Sequence, residues 1–274
     1  MVSSTSFGLV DTHCHLNLSE FDADRPQVIE RARNCGITRI LVPGIDIGTC
    51  ESALKLASEH PEIFVAVGVH PNSGMTWVEH TLTELRNLAG QNKVVAIGEI
   101  GLDYYREFTT PKVQRRIFVE QLELAAELKL PVIVHNRNAI EDIVAILKEW
   151  CNGIQKNASK LLRFPGVMHS FSANTAVANT ILELNFKIGV TGPVTFKNAA
   201  DLRAVVALMP LECLLIETDA PFLTPHPYRG QRNEPANVRI VAEKIAEIKQ
   251  ISFEQVVEVT TRSANQLFDW RVVH

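Results

Sequence analysis

Eight times along 274 residues, a short apolar run built on Val, Ile and Leu gives way to a turn and then to a stretch with helical periodicity. The runs cover residues 9–12, 39–42, 64–69, 94–97, 132–134, 166–168, 186–190 and 214–216. Helix-period segments fall at 26–35, 50–60, 77–88, 113–128, 139–150, 175–184 and 199–208, with two more at 236–248 and 253–268 after the last run. Strands that are apolar throughout, rather than alternating, are buried on both faces, as parallel strands covered by helices must be. Eight such strands alternating with helices predict an α/β fold, a single-domain (β/α)8 TIM barrel spanning 1–274. An open parallel sheet is the alternative, but neither G-x-G-x-x-G nor G-x-x-x-x-G-K-[ST] occurs to support it. Local signals agree with the division. Asn174 and Ser252 (with Gln255 three residues on) are placed to cap helices, and Pro26 suits a first helical turn.

Composition excludes several classes. At 46% hydrophobic and 21% charged, the chain is neither disordered nor of low complexity. No apolar run reaches the roughly 18 residues that span a bilayer, and residues 1–7 lack the basic and apolar regions of a secretory signal. The five cysteines, Cys14, Cys35, Cys50, Cys151 and Cys213, are odd in number and include no C-x-x-C pair. That pattern predicts reduced thiols and a cytoplasmic protein. A net charge of -4 argues against coating nucleic acid by bulk electrostatics, though not against acting on one end of it. A monomer is expected, with no membrane and no stable protein partner.

In this barrel class, active sites form at the C-terminal ends of the strands. Six of the eight predicted strands end there on a histidine or a carboxylate. The first ends in Asp11-Thr12-His13-Cys14-His15, the third in Gly68-Val69-His70-Pro71, and the fourth in Gly98-Glu99-Ile100-Gly101-Leu102-Asp103. The fifth ends in His135-Asn136-Arg137, the sixth in His169-Ser170-Phe171, and the eighth in Glu217-Thr218-Asp219-Ala220-Pro221. Residues two apart on a strand share a face, so His13 and His15 point together into the barrel mouth and Cys14 faces the helices. Glu99 and Asp219 add oxygen donors; His135 and His169 add nitrogens. Six donors exceed one tetrahedral ion and suit two divalent ions sharing a carboxylate, the arrangement of metal-assisted hydrolysis of phosphoryl esters. Mg, Mn, Zn and Ni all accept such ligands.

Other residues are less specific. His70 is a substrate contact or a turn residue. Asp103 is a turn former or a functional acid, and Glu217, one layer deeper than Asp219, is structural or orients a ligand. Arg137 shares a face with His135 and either binds a substrate phosphate or pairs with a rim carboxylate. Arg106, Arg115, Arg116, Arg229 and Arg232 either make a basic lip or are ordinary surface. His60, His80, His226 and His274 are expected to be structural or surface residues. The loop at 225–235 is long enough to predict a functional role.

These stretches together resemble the TatD family of metal-dependent deoxyribonucleases, within the amidohydrolase superfamily. The likeness includes Gln114, Phe118 and Gln121 and the Arg229-Gly230 and Asn233-Glu234-Pro235 segments, and it runs from about residue 8 to about residue 268. It implies that His13, His15 and Asp219 hold one metal, and that Glu99 bridges to a second held by His135 and His169. It implies Asp219 as the general base, a hydroxide between the two ions, and DNA single strands or 3′ ends as substrate. His70, Arg137 and Arg229 would then contact the substrate. Two positions depart from the family pattern, Asn138 where Asp is usual and Ala173 where Gly is usual. The competing functions are hydrolysis of a small amide, lactone or cyclic urea at the same centre, and a scaffold that has lost catalysis. All six expected ligands being present speaks against the last.

Overall fold

The computed structural model describes residues 8–106, 108–154 and 159–270. The expectations for residues 1–7 and for His274 lie outside the described residues. Eight strands, β1 (Leu9–Asp11), β2 (Ile37–Pro43), β3 (Ile63–Val67), β4 (Val94–Asp103), β5 (Val132–Arg137), β6 (Gly166–Met168), β7 (Lys187–Val190) and β8 (Leu214–Ile216), pair in chain order. Every ladder is parallel. The ends of β8 and β1 meet at one rim. There Thr12 N–H donates to Ile216 O (3.1 Å), His15 N–H to Ala220 O (2.8 Å) and Asp219 N–H to His13 O (2.8 Å). The result is the (β/α)8 barrel expected from the alternation.

Around it run α1 (Arg25–Asn34), α2 (Ile47–Glu59), α3 (Thr81–Ala89), α4 (Pro111–Leu128), α5 (Ile140–Gly153), α6 (Ser159–Arg163), α7 (Thr175–Glu183), α8 (Ala200–Leu208), α9 (Val238–Lys249) and α10 (Phe253–Leu267). Asn174 accepts from Val177 N–H (3.1 Å) and Ser252 from Gln255 N–H (3.1 Å), so both predicted caps form. Asp46 and Thr49 cap α2 reciprocally. The helix α6 falls in no segment the sequence predicted, α2 begins three residues before the expected 50, β3 ends two residues short of the expected 69, and two further differences have a local cause. α3 begins at Thr81 rather than 77, because Thr81 Oγ1 accepts from Val78 N–H (2.9 Å) and closes a turn first. β4 continues six residues beyond 97, through a register shift in which Ile97 and Ile100 face Val132 and Val134 of β5. Three residues of β4 thus span what two of β5 span, as a bulge does.

The interior divides by level. Val10, Leu41, Phe64, Val95, Ile133, Val167 and Leu215, from seven strands, form one apolar cluster with Leu267 and Phe268 at the end of α10. A larger cluster fills the shell between strands and helices and includes Cys14. Counting upward by twos from the inner cluster along β5, β6 and β8 leads from Ile133 to His135, from Val167 to His169, and from Leu215 to Glu217 and Asp219. On these three strands the apolar plug and the polar rim are consecutive layers of the same inward columns. Among the described residues, no helix is long and apolar enough to cross a membrane.

Candidate metal centre

The inward column of β8 places Glu217 beneath the rim, fully buried. Gly189 on β7 makes the room: a Cβ there would lie 2.3 Å from the Glu217 carboxylate. Glu217 Oε2 faces His169 Nδ1 at 2.9 Å and accepts from Ser170 N–H at 3.0 Å, while Thr12 Oγ1 donates to Oε1 at 3.4 Å. These contacts hold His169 with Nε2 toward Asp219 Oδ1, 3.4 Å away. The buried Asp11 works one strand over. It accepts from Thr218 N–H (3.0 Å), Thr218 Oγ1 (2.5 Å) and His13 N–H (3.3 Å), clamping the end of β1 to the end of β8. Burial pushes the Asp11 carboxyl up to about 8, against the pull of the Thr218 hydrogen bonds. No specific role for Asp11 follows from the sequence, because its partner lies 207 residues away.

Above this layer the donors converge. His13 Nε2 and His15 Nε2 are 3.2 Å apart. Glu99 Oε2 lies 3.3 Å from His13 Nε2 and 3.4 Å from His15 Nε2, and Asp219 Oδ1 lies 3.7 and 3.5 Å from the same atoms. For metal–nitrogen bonds of about 2.0–2.1 Å, the edge of a coordination tetrahedron is about 3.3–3.4 Å. The separations fit donors arranged around one cation. Glu99 turns its other oxygen the opposite way: Oε1 lies 2.8 Å from His135 Nδ1 and 3.7 Å from His70 Nε2. Three donor groups result, each with ligand atoms within 4.8 Å of one another: His13, His15 and Asp219; His13, Glu99 and His169; and His70, Glu99 and His135. All six predicted ligands meet at one rim. His169 stacks on His13 (ring centroids 3.4 Å), and His70 is the residue that joins Glu99 and His135.

The electrostatics match the geometry. Burial would raise both carboxylates, but the surrounding histidines (His13 foremost for Glu99, His169 for Asp219) hold both below the usual carboxylate range. Burial lowers His15 and the hydrogen bonds to Asp219 and Glu99 overcome it, lifting it to about 9. Burial and the neighbouring His135 lower His70 to about 3. His70 Nδ1 accepts from Asn72 N–H (3.1 Å), so the neutral ring carries its proton on Nε2, facing Glu99 and the centre. His70 thus both starts the turn at 71–76 and presents a donor to the site.

Elements further out fix the strand ends. Gln114 of α4 accepts from Asp103 N–H (2.9 Å) and donates to Asp103 O (2.9 Å). Gln121 does the same for Val69 (2.7 and 3.0 Å). Asp103 itself accepts from the Tyr105 and Arg106 N–H groups (both 3.0 Å) and from Asn72 (3.1 Å), with His135 Nε2 at 3.5 Å. It is a turn former whose carboxylate lies beside His135.

The centre opens into a cleft of about 690 Å³ whose walls include His70, Arg106, Phe108, Arg137, Phe222 and Leu223. Arg229 is not among its lining residues; its guanidinium lies over Phe196, 4.3 Å from the ring centroid. Most of the predicted basic lip is engaged elsewhere. Arg115 pairs with Asp142, Arg116 with Glu120 and Arg232 with Asp24, which leaves Arg106 and Arg137 on the cleft wall. Asn138, His60, His80, Ala173 and His226 do not line it.

Known proteins resemble this chain over nearly its whole length. The family model described as TatD related DNase matches residues 10–269. The uncharacterized metal-dependent hydrolase YabD of Bacillus subtilis is 44% identical, with 95% of this chain and 98% of that protein covered. The 3′-5′ ssDNA/RNA exonuclease TatD of Edwardsiella piscicida is 35% identical, with 95% and 99% covered. Among solved structures, the TatD homolog YjjV of Escherichia coli superimposes with a TM-score of 0.87 at 30% identity, with 95% and 98% covered. The chain belongs to the TatD family and is a metal-dependent hydrolase.

Proposed function

We propose that this hydrolase is a phosphodiesterase that uses two divalent ions to remove nucleotides from the 3′ ends of single-stranded DNA. The observation that carries the reading is the orientation of Glu99, whose two carboxylate oxygens face two different sets of histidines. In this reading His13, His15 and Asp219 would hold one ion, His135 and His169 the other, and Glu99 would serve both, while by proximity of donor atoms His169 groups with His13 and His70 with His135. Such a pair supplies Lewis acidity at a phosphoryl oxygen and water that ionises near neutral pH. The exonuclease name of the Edwardsiella piscicida relative supports the substrate class.

The residues divide the remaining work. Asp219, ionised and the most open of the rim carboxylates at 14% side-chain exposure, takes the proton of the attacking water. His70 donates its Nε2 proton in a hydrogen bond to the phosphoryl group. Glu217 keeps His169 oriented, and Arg137 on the cleft wall meets a backbone phosphate.

Digestion of a 5′-labelled single-stranded oligonucleotide, with Mg or Mn and then with chelator, tests the reading. A ladder shortening from the 3′ end, lost with chelator and lowered at least 100-fold in Asp219→Asn, is expected. Hydrolysis of amide or lactone substrates with the oligonucleotide left intact would overturn it in favour of a small-molecule hydrolase.

A further inference from the structure

Phe222 lies three residues beyond Asp219 and is 47% exposed in a molecule whose other β8-rim residues are mostly buried. Exposure usually accompanies mobility, but here the backbone is pinned. Phe222 N–H donates to Asp219 O (2.8 Å), and Phe222 O accepts from Asn233 Nδ2 (2.7 Å). Asn233 is itself fully buried and also donates to Thr218 O (2.9 Å). The ring is a wall of the cleft and stands edge-to-face with His15, centroids 6.2 Å apart. An aromatic side chain on a pinned backbone, half open to the cleft and braced edge-on by a metal-donor histidine, is placed to take a flat partner on its open face.

A second assembly stands on the cleft wall. Arg137, at the end of β5, lies 4.0 Å above the ring of Tyr105, which is 60% exposed. Among the described residues no acid pairs with this guanidinium, so its charge faces the cleft while the ring beneath limits its rotamers. Glu99, His135 and His169 line the same cleft. An aromatic face, a cation and the donor cluster in one cleft reproduce the pattern by which proteins hold single strands: bases stacked on rings, phosphates on arginine.

We propose that Phe222 is the stacking platform for one of the two nucleobases flanking the scissile phosphate, with Arg137, braced by Tyr105, holding the phosphate of the adjoining nucleotide. The inference rests on the phosphodiesterase reading and adds to it the residues that set the position of the strand. Stacking is indifferent to base identity, so this platform selects a nucleotide over a plain phosphodiester without selecting a sequence.

The test pairs a change in the protein with a change in the substrate. Initial rates are measured on a 5′-labelled oligothymidylate and on two versions carrying an abasic residue, one at the 3′-terminal position and one at the penultimate position. In the wild type, one of the two abasic substitutions should lower kcat/KM by roughly 5- to 150-fold. In Phe222→Ala the same substitution should cost less than about twofold, since the partner it removes is already gone, and Phe222→Tyr should restore the discrimination. Arg137→Ala should raise KM on all three substrates alike, with less effect on kcat. A wild type that cleaves all three oligonucleotides equally, or a Phe222→Ala variant that still discriminates as the wild type does, overturns the platform while leaving the phosphodiesterase reading intact. A wild type that cleaves none of them overturns both.

Discussion

Glu99 is 3% exposed and ionised, which a lone carboxylate at that depth would not be. Its charge is sustained by the imidazoles around it, and the same mutual dependence lifts His15 to about 9, above its usual 6.5. Metal binding needs that imidazole neutral, so a divalent ion must displace a proton that the two carboxylates favour. Binding at pH 7 should therefore release protons, and apparent metal affinity should rise with pH by up to about tenfold per unit for each proton released, levelling near pH 9. The sign for folding is opposite. In the metal-free chain the raised His15 value contributes stability below about pH 6.5, and this is lost as pH rises through about 9. Calorimetric titration of Mn into the metal-free protein in two buffers of different ionisation enthalpy measures the released protons directly. Equal heats in both buffers would contradict this account of the cluster.

At the scale of elements, the centre depends on where β1 and β8 end. Asp11 holds those ends together through three hydrogen bonds, two of them to Thr218 and one to His13 N–H. Asp11→Ala leaves buried donors without an acceptor, at a cost of about 1–3 kcal/mol for each group not rescued by water. It should also weaken metal affinity by about 10- to 100-fold, although Asp11 touches no ion in this account. Thermal unfolding with and without metal separates the two effects, and an unchanged affinity would show that the clamp does not position His13. Such devices were only partly visible in the sequence. The strand ends carrying His13, His15, Glu99, His135, His169 and Asp219 were legible because apolar runs stop there and chemistry-bearing residues begin. The extension of β4 to Asp103 was not, since Gly98 and Gly101 interrupt its apolar pattern. Both are demanded by close approach: a Cβ at Gly98 would lie 2.7 Å from Ile133, and Gly101 adopts φ +141° against the His135 carbonyl. The roles of Gln114 and Gln121 depend on backbone groups of strands, which side-chain patterning does not record.

Over the whole molecule, an apolar layer lies beneath the layer that carries the chemistry. Leu267 and Phe268 of the α10 end are fully buried against the inner apolar layer that lies beneath the donor rim. Leu267→Ala should cost about 2–5 kcal/mol of unfolding free energy and leave metal stoichiometry unchanged, as denaturant unfolding and elemental analysis would show. A loss of metal in that variant would mean that the layers are coupled. Charge at this scale was the hardest feature to read from sequence. Arg115 and Arg232 find their partners, Asp142 and Asp24, only through the fold, so of the expected basic lip Arg106 alone lines the cleft, where Arg137 joins it. Phe222 was likewise hidden within a run of motif residues, because exposure is a property of the folded rim.

The central claim is that one carboxylate serves two ions, and metal content tests it most directly. Wild type and Glu99→Ala, loaded identically with Mn or Zn and freed of excess, would be compared by elemental analysis, with circular dichroism confirming the fold of each. The account predicts two ions per wild-type chain and at most one in the variant. Two ions retained in Glu99→Ala, or a single ion in the wild type at saturating metal, would contradict it.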